Sequence, residues 1–224
     1  MDFEAKVTSR EISELLWEME KTVGTAESCT GGRIAEAIIA VPGASKYFKG
    51  GVISYVNEIK ESLLGVDPQV LEEKTVGTAE SCTGGRIAEA IIAVPGASKY
   101  FKGGIISYVN EIKERLLGVD PQVLEEKTAV CEEVAIAMVK GACKALNTDY
   151  AISATGVAGP SGGTKDIPVG TIWLACGSLN RVVTLKVEED HGRDINLAIA
   201  TNKAMELFLN FLKEENDPRP VREG

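Results

Sequence analysis

Residues 21–73 read KTVGTAESCTGGRIAEAIIAVPGASKYFKGGVISYVNEIKESLLGVDPQVLEE, and residues 74–126 repeat them almost unchanged. The two segments, called copy one and copy two below, differ at two positions, which carry Val52 and Ser62 in copy one and Ile105 and Arg115 in copy two. Solenoid repeats diverge more than this and usually number three or more. A near-identical pair therefore indicates a duplication of part of one domain, either natural or made by design.

Each copy has the pattern of a strand, a helix and a second strand. In copy one, TVGTAES predicts a short strand, TGGRIAEAIIAV a helix that Pro42 and Gly43 end, and GGVISYV the second strand. NEIKESLLG then predicts a short helix, and Asp67 with Pro68 a turn. Removal of one copy leaves about 170 residues, which is the size of an ordinary single domain.

The flanking sequence predicts the rest of an α/β domain. Residues 8–20 predict an amphipathic helix, and the sequence after the repeats predicts a helix (CEEVAIAMVKGACKAL), a strand (DYAISATG), a glycine-rich loop, a hairpin and a last helix over residues 194–213. We therefore expect one three-layer α/β/α domain over residues 1–213, with a mixed, mostly parallel sheet of about five strands. One duplicated strand-helix-strand segment is surplus to this fold, and residues 214–224 predict a frayed polar tail.

Composition excludes several classes of protein. The 224 residues carry 24 Lys and Arg against 33 Asp and Glu, a net charge of -9, without a basic cluster, so we expect neither a nucleic acid nor a membrane surface as partner. No apolar run approaches the roughly 20 residues that span a bilayer, and the charged N-terminus lacks a signal-peptide core, so we expect a cytoplasmic protein. Five cysteines never spaced as CxxC and a single histidine, His191, predict reduced thiols and no metal.

The segment ESCTGG, at residues 27–32 and 80–85, lies where a predicted strand meets a predicted helix. Backbone N–H groups and the helix dipole at such a junction favour an anion or a developing oxyanion, although an N-cap with a tight turn explains the residues equally well. Two residue types compete as nucleophile in this segment, namely Ser28 and Ser81 against Cys29 and Cys82. Since no His-Asp pattern supports a cysteine site, the serines rank first.

A tyrosine and a lysine recur at the next junction. Tyr55, or Tyr108 in copy two, ends a predicted strand, and Lys60, or Lys113, lies in the first turn of the following helix. A lysine is a poor base at its reference pKa near about 10.4, but burial beside an uncharged phenol would lower that pKa enough for it to accept a hydroxyl proton. With a serine within reach, the pair predicts a Ser-Lys-Tyr nucleophilic site, and the alternative is a solvated surface lysine.

A glycine-rich loop occupies residues 155–164 and has the composition of a phosphate cradle, but it fits neither a Walker loop nor GxGxxG. Arg193, just before the last helix, is a candidate phosphate contact or a surface residue near a helix start. Functional loops of α/β sheets gather at the carboxyl ends of strands. We therefore expect the ESCTGG segment, the Tyr-Lys pair and this loop to meet at one edge of the sheet.

Several of these motifs occur in a fixed order, namely AESCTGG, PGAS, Tyr-x-Asn-x-x-Lys followed by LLGV, and ATGVAGPSGGT followed by PVGTIW. Together they resemble the CinA C-terminal family, the nicotinamide-nucleotide amidases, over nearly the whole chain once one copy is removed. The resemblance implies hydrolysis of the carboxamide of nicotinamide mononucleotide to nicotinate mononucleotide and ammonia, in a metal-free and cofactor-free α/β domain that is commonly a dimer. Only 20 residues precede copy one, so we expect the separate N-terminal domain of longer members to be absent.

The resemblance also implies roles for individual residues. Ser81 (or Ser28) would be the nucleophile, Lys113 (or Lys60) the general base, and Tyr108 (or Tyr55) would assist proton transfer. The implied substrate-binding residues are Thr83, Gly84 and Gly85 at the oxyanion site and Thr155, Gly156, Gly159, Gly162, Gly163, Thr164 and Arg193 around the nucleotide. The family's Gly-Asp-Arg is present here as His191, Gly192 and Arg193, which keeps the arginine and loses the aspartate.

The duplication allows one complete site, because the serine, tyrosine and lysine occur twice and the glycine-rich loop once. We expect copy two to dock into the domain, since its contacts with the downstream half are local in sequence. The surplus copy keeps apolar faces that it cannot bury alone, so we expect it to pair with the edge of the host sheet or with a second chain, which favours homo-oligomers and domain swapping. The alternative to an amidase is a non-catalytic nucleotide-binding module, or a designed duplication scaffold with impaired activity.

Overall fold

A seven-stranded sheet organises the computed structural model, which describes residues 3–55 and 74–215. The strands are β1 (Val23–Glu27), β2 (Phe48–Ser54), β3 (Val76–Glu80), β4 (Phe101–Ile106), β5 (Tyr150–Gly156), β6 (Thr171–Gly177) and β7 (Val182–Glu188). The helices are α1 (Phe3–Glu18), α2 (Arg33–Ile39), α3 (Arg86–Ile92), α4 (Asn110–Leu117), α5 (Pro121–Lys127), α6 (Glu132–Ala145) and α7 (Arg193–Glu215). The helix predicted after the second strand of copy one, including Lys60, lies outside the described residues.

The strand order is β1-β2-β4-β3-β5-β6-β7. The pairs β1·β2, β4·β3 and β3·β5 are parallel, and the pairs β2·β4, β5·β6 and β6·β7 are antiparallel. The predicted mixed α/β fold is confirmed, but the prediction of about five strands is wrong. The two strands of copy one join the same sheet, and their antiparallel junction with copy two makes the sheet evenly mixed rather than mostly parallel.

Copy two is the one that docks, as the sequence predicted. Its first strand β3 pairs in parallel with β5 of the single-copy half, with Val76 opposite Tyr150 and Glu80 opposite Ala154. Copy one extends the sheet beyond β4, which confirms the expectation that the surplus segment pairs with the edge of the host sheet. An unpaired strand edge leaves N–H and C=O groups without partners, and this pairing satisfies them.

Two apolar cores lie on opposite faces of the sheet, which gives the three predicted layers. The first is formed by residues of α2, α3 and α7 against the sheet, among them Ile38, Ile87 and Phe211. The second is formed by residues of α4, α5 and α6, among them Leu117, Leu124 and Met138. Apolar side chains therefore pack against both faces of the sheet, including its central strands β3 and β5.

The turn predicted at Asp-Pro begins a helix in copy two. The Asp120 carboxylate accepts the N–H of Gln122 at 2.9 Å, and Pro121 occupies the first position of α5, where a missing N–H costs no hydrogen bond. The equivalent pair Asp67 and Pro68 lies outside the described residues. The last helix is found close to its predicted bounds and takes in the first two residues of the predicted tail.

None of the helices in residues 3–55 and 74–215 is long and apolar enough to cross a membrane. Over the same residues, no group of three or more His, Cys, Asp or Glu side chains is close enough to hold a metal ion.

Candidate active site

A cavity of about 310 Å³ opens at the carboxyl ends of β3 and β5. It is lined by Ile39, Val41, Pro42, Gly43, Ala44, Ser45, Ser81, Cys82, Tyr108, Gly156, Val157, Ala158, Gly159, Pro160, Ser161, Gly162 and Arg193. Parallel strands bring their carboxyl ends to one edge of a sheet, and this is the edge at which the predicted motifs were expected to meet. The ESCTGG segment of copy two, the tyrosine and the glycine-rich loop all contribute to the cavity.

Ser81 and Lys113 form a buried pair beside this cavity. The backbone N–H of Ser81 donates to the carbonyl of Ala154 at 2.9 Å, which fixes the residue directly after β3. The Lys113 Nζ lies 3.0 Å from the Ser81 Oγ and donates to the carbonyl of Ser107 at 2.7 Å. Lys113 is 1% exposed and Ser81 8% exposed, so the pair is shielded from bulk water except on the cavity side.

Burial lowers the pKa of Lys113 from 10.5 to about 8. No carboxylate forms an ion pair with its ammonium group among the described residues, so little opposes the cost of burying the charge. We predicted from the sequence that burial beside the tyrosine would lower the pKa of the lysine. The structure gives burial as the cause, and among the described residues no hydrogen bond joins Tyr108 to Lys113 or Ser81.

A buried carboxylate lies under the ESCTGG segment of copy two. Glu80 is 0% exposed and accepts the backbone N–H groups of Gly85, Ile87 and Ala88 at 3.0, 3.1 and 2.9 Å. Burial raises the pKa of Glu80, and the three N–H groups act in the opposite direction. The start of the seven-residue helix α3 is thus neutralised by the chain's own glutamate rather than left open for a substrate anion.

Thr83, Gly84 and Gly85 do not line the cavity, contrary to what the family resemblance implied. A Cβ on Gly84 or Gly85 would meet residues of copy one, at 1.9 Å from Ile39 Cδ1 and 2.7 Å from the Gly32 Cα respectively. These glycines therefore permit close packing of the two copies. Glu80 was not among the predicted site residues, although an acidic residue that ends a strand shortly before a Gly-Gly helix start is a signal for such a cap.

Cys82 lines the cavity next to Ser81 and is the competing nucleophile. Burial raises the pKa of the Cys82 thiol to about 11, even though the charges of Arg193 and Lys113 lower it. The thiolate, which is the reactive form, is therefore scarce near neutral pH. The pKa decrease expected at a helix start is not found, because burial of the thiol outweighs the effects that lower its pKa. The serine keeps its first rank.

Tyr108 forms part of the cavity wall and is half-buried. Its ring packs against Phe48 of copy one, with 6.0 Å between ring centroids. Burial raises the pKa of its phenol, so the group is protonated at neutral pH.

Arg193 is the one charged side chain among the described residues that line the cavity. It donates to the carbonyl of Gly159 at 2.8 Å and to the carbonyl of Ile39 at 3.2 Å, so it joins the glycine-rich loop to copy one. Of the glycine-rich loop, Gly156, Gly159 and Gly162 line the cavity. The remaining predicted residues do not, namely Thr155, Gly163 and Thr164.

Thr155 has a structural contact instead. Its hydroxyl is buried and donates to the carbonyl of Ala129 at 2.7 Å. Thr164 accepts the N–H of Ile167 at 3.0 Å and so closes a turn within the loop. Both threonines therefore shape the loop from outside the cavity.

Asn196, in the first turn of α7, binds the glycine-rich loop and was not among the predicted site residues. Its buried amide donates to the carbonyl of Ala158 at 3.1 Å and to the Asp190 carboxylate at 2.9 Å. Asp190 also accepts the N–H of Gly192 at 3.0 Å. An aspartate thus lies near Arg193 although the family's Gly-Asp-Arg order is not kept.

The duplicate residues of copy one are not brought to the cavity. Ser28 and Tyr55 are half-buried and do not line it, and Lys60 lies outside the described residues. Tyr55 packs against Phe101 of copy two at 6.0 Å between ring centroids. Only copy two therefore combines its serine with the glycine-rich loop.

Comparison with known proteins gives two matches to the model of the CinA C-terminal domain, over residues 5–76 and 71–212. A CinA-like protein of Cytophaga hutchinsonii is 38% identical over 173 residues, which are 73% of this chain and 41% of that protein. The crystal structure of competence/damage inducible protein CihA from Agrobacterium tumefaciens is 36% identical, with a TM-score of 0.58, over 61% of this chain and 84% of its own. The crystal structure of a CinA superfamily protein from Escherichia coli is 33% identical, with a TM-score of 0.59, over 62% of this chain and 80% of its own. The chain spans about two-fifths of the length of the Cytophaga relative.

Proposed function

Because the chain belongs to the CinA C-terminal domain family, we propose that it hydrolyses the carboxamide of nicotinamide mononucleotide to nicotinate mononucleotide and ammonia. The observation that carries the proposal is the Lys113 Nζ at 3.0 Å from the Ser81 Oγ, buried beside a cavity. A buried amine with a lowered pKa is an unusual and costly feature, and such groups cluster at functional sites.

In the proposed reaction, neutral Lys113 accepts the hydroxyl proton of Ser81 while the Oγ attacks the carboxamide carbon. The C–N bond then breaks, and the leaving nitrogen takes the proton from the Lys113 ammonium to depart as ammonia. A water molecule, deprotonated by the same amine, cleaves the acyl-serine ester and restores both side chains. With a pKa of about 8, roughly a tenth of the Lys113 amines are neutral at pH 7, which is enough for a base of this kind.

Arg193 and the glycine-rich loop would hold the phosphate of the nucleotide. The guanidinium supplies the positive charge, and glycines such as Gly156 and Gly162 let a phosphate approach the backbone closely. Tyr108, which lines the same cavity and is close enough to Arg193 for the guanidinium to lower the pKa of its phenol, would then position the substrate beside Arg193. The amide end of the substrate would then face Ser81, which lines the same cavity.

We expect the purified protein to convert nicotinamide mononucleotide to equal amounts of ammonia and nicotinate mononucleotide, without added metal. Coupled ammonia detection and chromatography of the nucleotide measure the two products independently. Nicotinamide riboside, which lacks the phosphate, serves as the comparison substrate and should react at least about tenfold less efficiently, since an arginine contact with phosphate is lost. A protein that binds nicotinamide mononucleotide without releasing ammonia would contradict the amidase and favour the nucleotide-binding module.

The rate is expected to rise with pH through about 8. The base works only in its neutral form, so kcat/KM should fall about tenfold for each pH unit below the pKa of Lys113 and level off above it. A pH profile between 6 and 9 at constant ionic strength measures this. A profile that is flat over this range would show that Lys113 is not the base.

A further inference from the structure

The two copies are related by a local two-fold axis that runs through the antiparallel junction of β2 and β4. Val52 lies opposite Ile105, and these are the same position in the two copies. On either side, Gly51 lies opposite Ile106 and Ile53 opposite Gly104, so each pairing repeats with the copies exchanged. A self-paired central residue flanked by exchanged pairs is the register of an isologous interface between two identical subunits.

The helices beside this junction repeat the same reciprocity. A Cβ on Gly32 would lie 2.7 Å from the Gly85 Cα, and a Cβ on Gly85 would lie 2.7 Å from the Gly32 Cα. The neighbouring glycines do the same with isoleucines, since a Cβ on Gly31 would meet Ile92 Cδ1 and one on Gly84 would meet Ile39 Cδ1, each at 1.9 Å. The close approach of α2 and α3 thus depends on the same two glycines from each copy.

Charged and aromatic contacts also occur in exchanged pairs. The Arg33 Nε donates to Glu89 at 2.8 Å, and the equivalent Arg86 forms an ion pair with Glu36 at 2.9 Å. The ring contacts described above, between Phe48 and Tyr108 and between Tyr55 and Phe101, form another exchanged pair at the same centroid distance. Contacts of four chemical kinds, namely strand pairing, glycine packing, ion pairs and ring packing, thus obey one two-fold axis.

We propose that copy one takes the place of the second subunit of a two-fold dimer, and that its turn at residues 41–45 forms one wall of the substrate pocket that belongs to copy two. The turn lines the cavity together with Ile39, whereas the equivalent residues of copy two, 94–98, do not. Arg193 reaches across to the Ile39 carbonyl and so ties the pocket to copy one. The site is therefore incomplete without a segment that, in a single-copy chain, only a partner could supply.

This proposal deepens the proposed function, because it concerns the pocket in which that reaction would occur. The duplication offers a matched control for it. Ser45 is exposed and lines the cavity, and its duplicate Ser98 is exposed and does not. The same substitution at the two positions changes the same local sequence, and only one of the two faces the pocket.

The test replaces Ser45 or Ser98 by tryptophan in a Ser81→Ala protein, which is expected not to turn the ligand over. Calorimetry then measures the affinity of each variant for nicotinamide mononucleotide. Ser45→Trp is expected to raise the dissociation constant at least about tenfold and Ser98→Trp to leave it within about twofold. Pro42→Trp and Pro95→Trp repeat the comparison at a second matched pair, which covers a failure of either first variant to fold.

The outcomes separate the two proposals. Equal affinities in the Ser45 and Ser98 variants overturn the pocket wall, whether or not the wild type releases ammonia. A loss confined to the Ser45 variant supports it even if the wild type releases no ammonia, in which case the amidase alone fails. Absence of binding by the Ser81→Ala parent overturns both.

Discussion

Ser81→Ala is expected to lower kcat for ammonia release from nicotinamide mononucleotide by at least about 10³-fold, whereas Ser28→Ala should leave it within about twofold. The two serines have the same flanking sequence except at two positions of the repeat, neither of them next to the serine, so we attribute a difference between them to their positions in the fold. Ser81 has the Lys113 amine at 3.0 Å and lies at the cavity. Ser28 does not line the cavity and has no described lysine beside it.

The size of the effect follows from what alanine removes. A serine nucleophile contributes the covalent step, and its loss leaves only the acceleration that binding and polarisation provide. Lys113 remains in Ser81→Ala, but without the hydroxyl it can only activate water directly. Binding should change little, because the small hydroxyl is replaced by a methyl group without steric conflict.

The measurement needs both rate and affinity. Retained affinity with lost turnover in Ser81→Ala, and unchanged values in Ser28→Ala, would assign the chemistry to copy two. Equal losses in the two single variants would contradict this assignment, and unchanged turnover in both would exclude the serines and return Cys82 to consideration. The thermal midpoint of each variant serves as the control for folding.

Local sequence was sufficient for most elements and for the docking of copy two. Strand and helix patterns have short periods, so residues such as Pro42 and Gly43 mark boundaries directly. The docking of copy two could be predicted from chain connectivity. Copy two directly precedes the single-copy half in the sequence, so the pairing of β3 with β5 closes a shorter loop than pairing of β1 with β5 would. The expected convergence of motifs at one sheet edge was also found in the cavity.

The two-fold relation between the copies could not be predicted from these patterns. It depends on pairing of β2 with β4 in one particular register, and register is set by contacts far apart in the chain. The burial of Lys113 was easier to foresee, because it lies four residues before Leu117 and so shares a helix face with a buried leucine. The role of Glu80 could not be predicted in detail, because it depends on which backbone N–H groups of α3 point at the carboxylate, and the sequence of a tight turn does not show this.

A chain shortened by residues 21–73 is expected to form a two-fold dimer through β4. The solved Agrobacterium tumefaciens relative, which aligns with 61% of this chain over 84% of its own length, indicates that a single set of these elements folds. The shortened chain keeps α1, and copy two offers it an apolar groove of about 330 Å³ lined by Ile91, Val94 and Tyr100. The equivalent Tyr47 of copy one donates a hydrogen bond to Ser13 of α1 at 2.7 Å, so the helix has a matching site to occupy.

Ile105 gives the sharpest readout of this dimer, because it would lie opposite itself across the two-fold axis. Opposed residues of an antiparallel pair have Cα atoms about 4.5 to 5.5 Å apart, within the range of a disulfide. Ile105→Cys in the shortened chain should therefore give a covalent dimer on mild oxidation, and the shortened chain without this cysteine should not. A monomer that does not cross-link would contradict the assignment of copy one as a built-in partner.

Dilution separates the shortened chain from the full chain by activity. The pocket of the shortened chain needs residues 94–98 of a partner in place of residues 41–45, so its specific activity should fall at least about tenfold once the dimer dissociates. The full chain carries that wall covalently, and a tethered segment has a high effective concentration at every dilution. Its specific activity should stay constant over the same range. The duplication would then have replaced an association between two chains by a contact within one, at the cost of the second pocket.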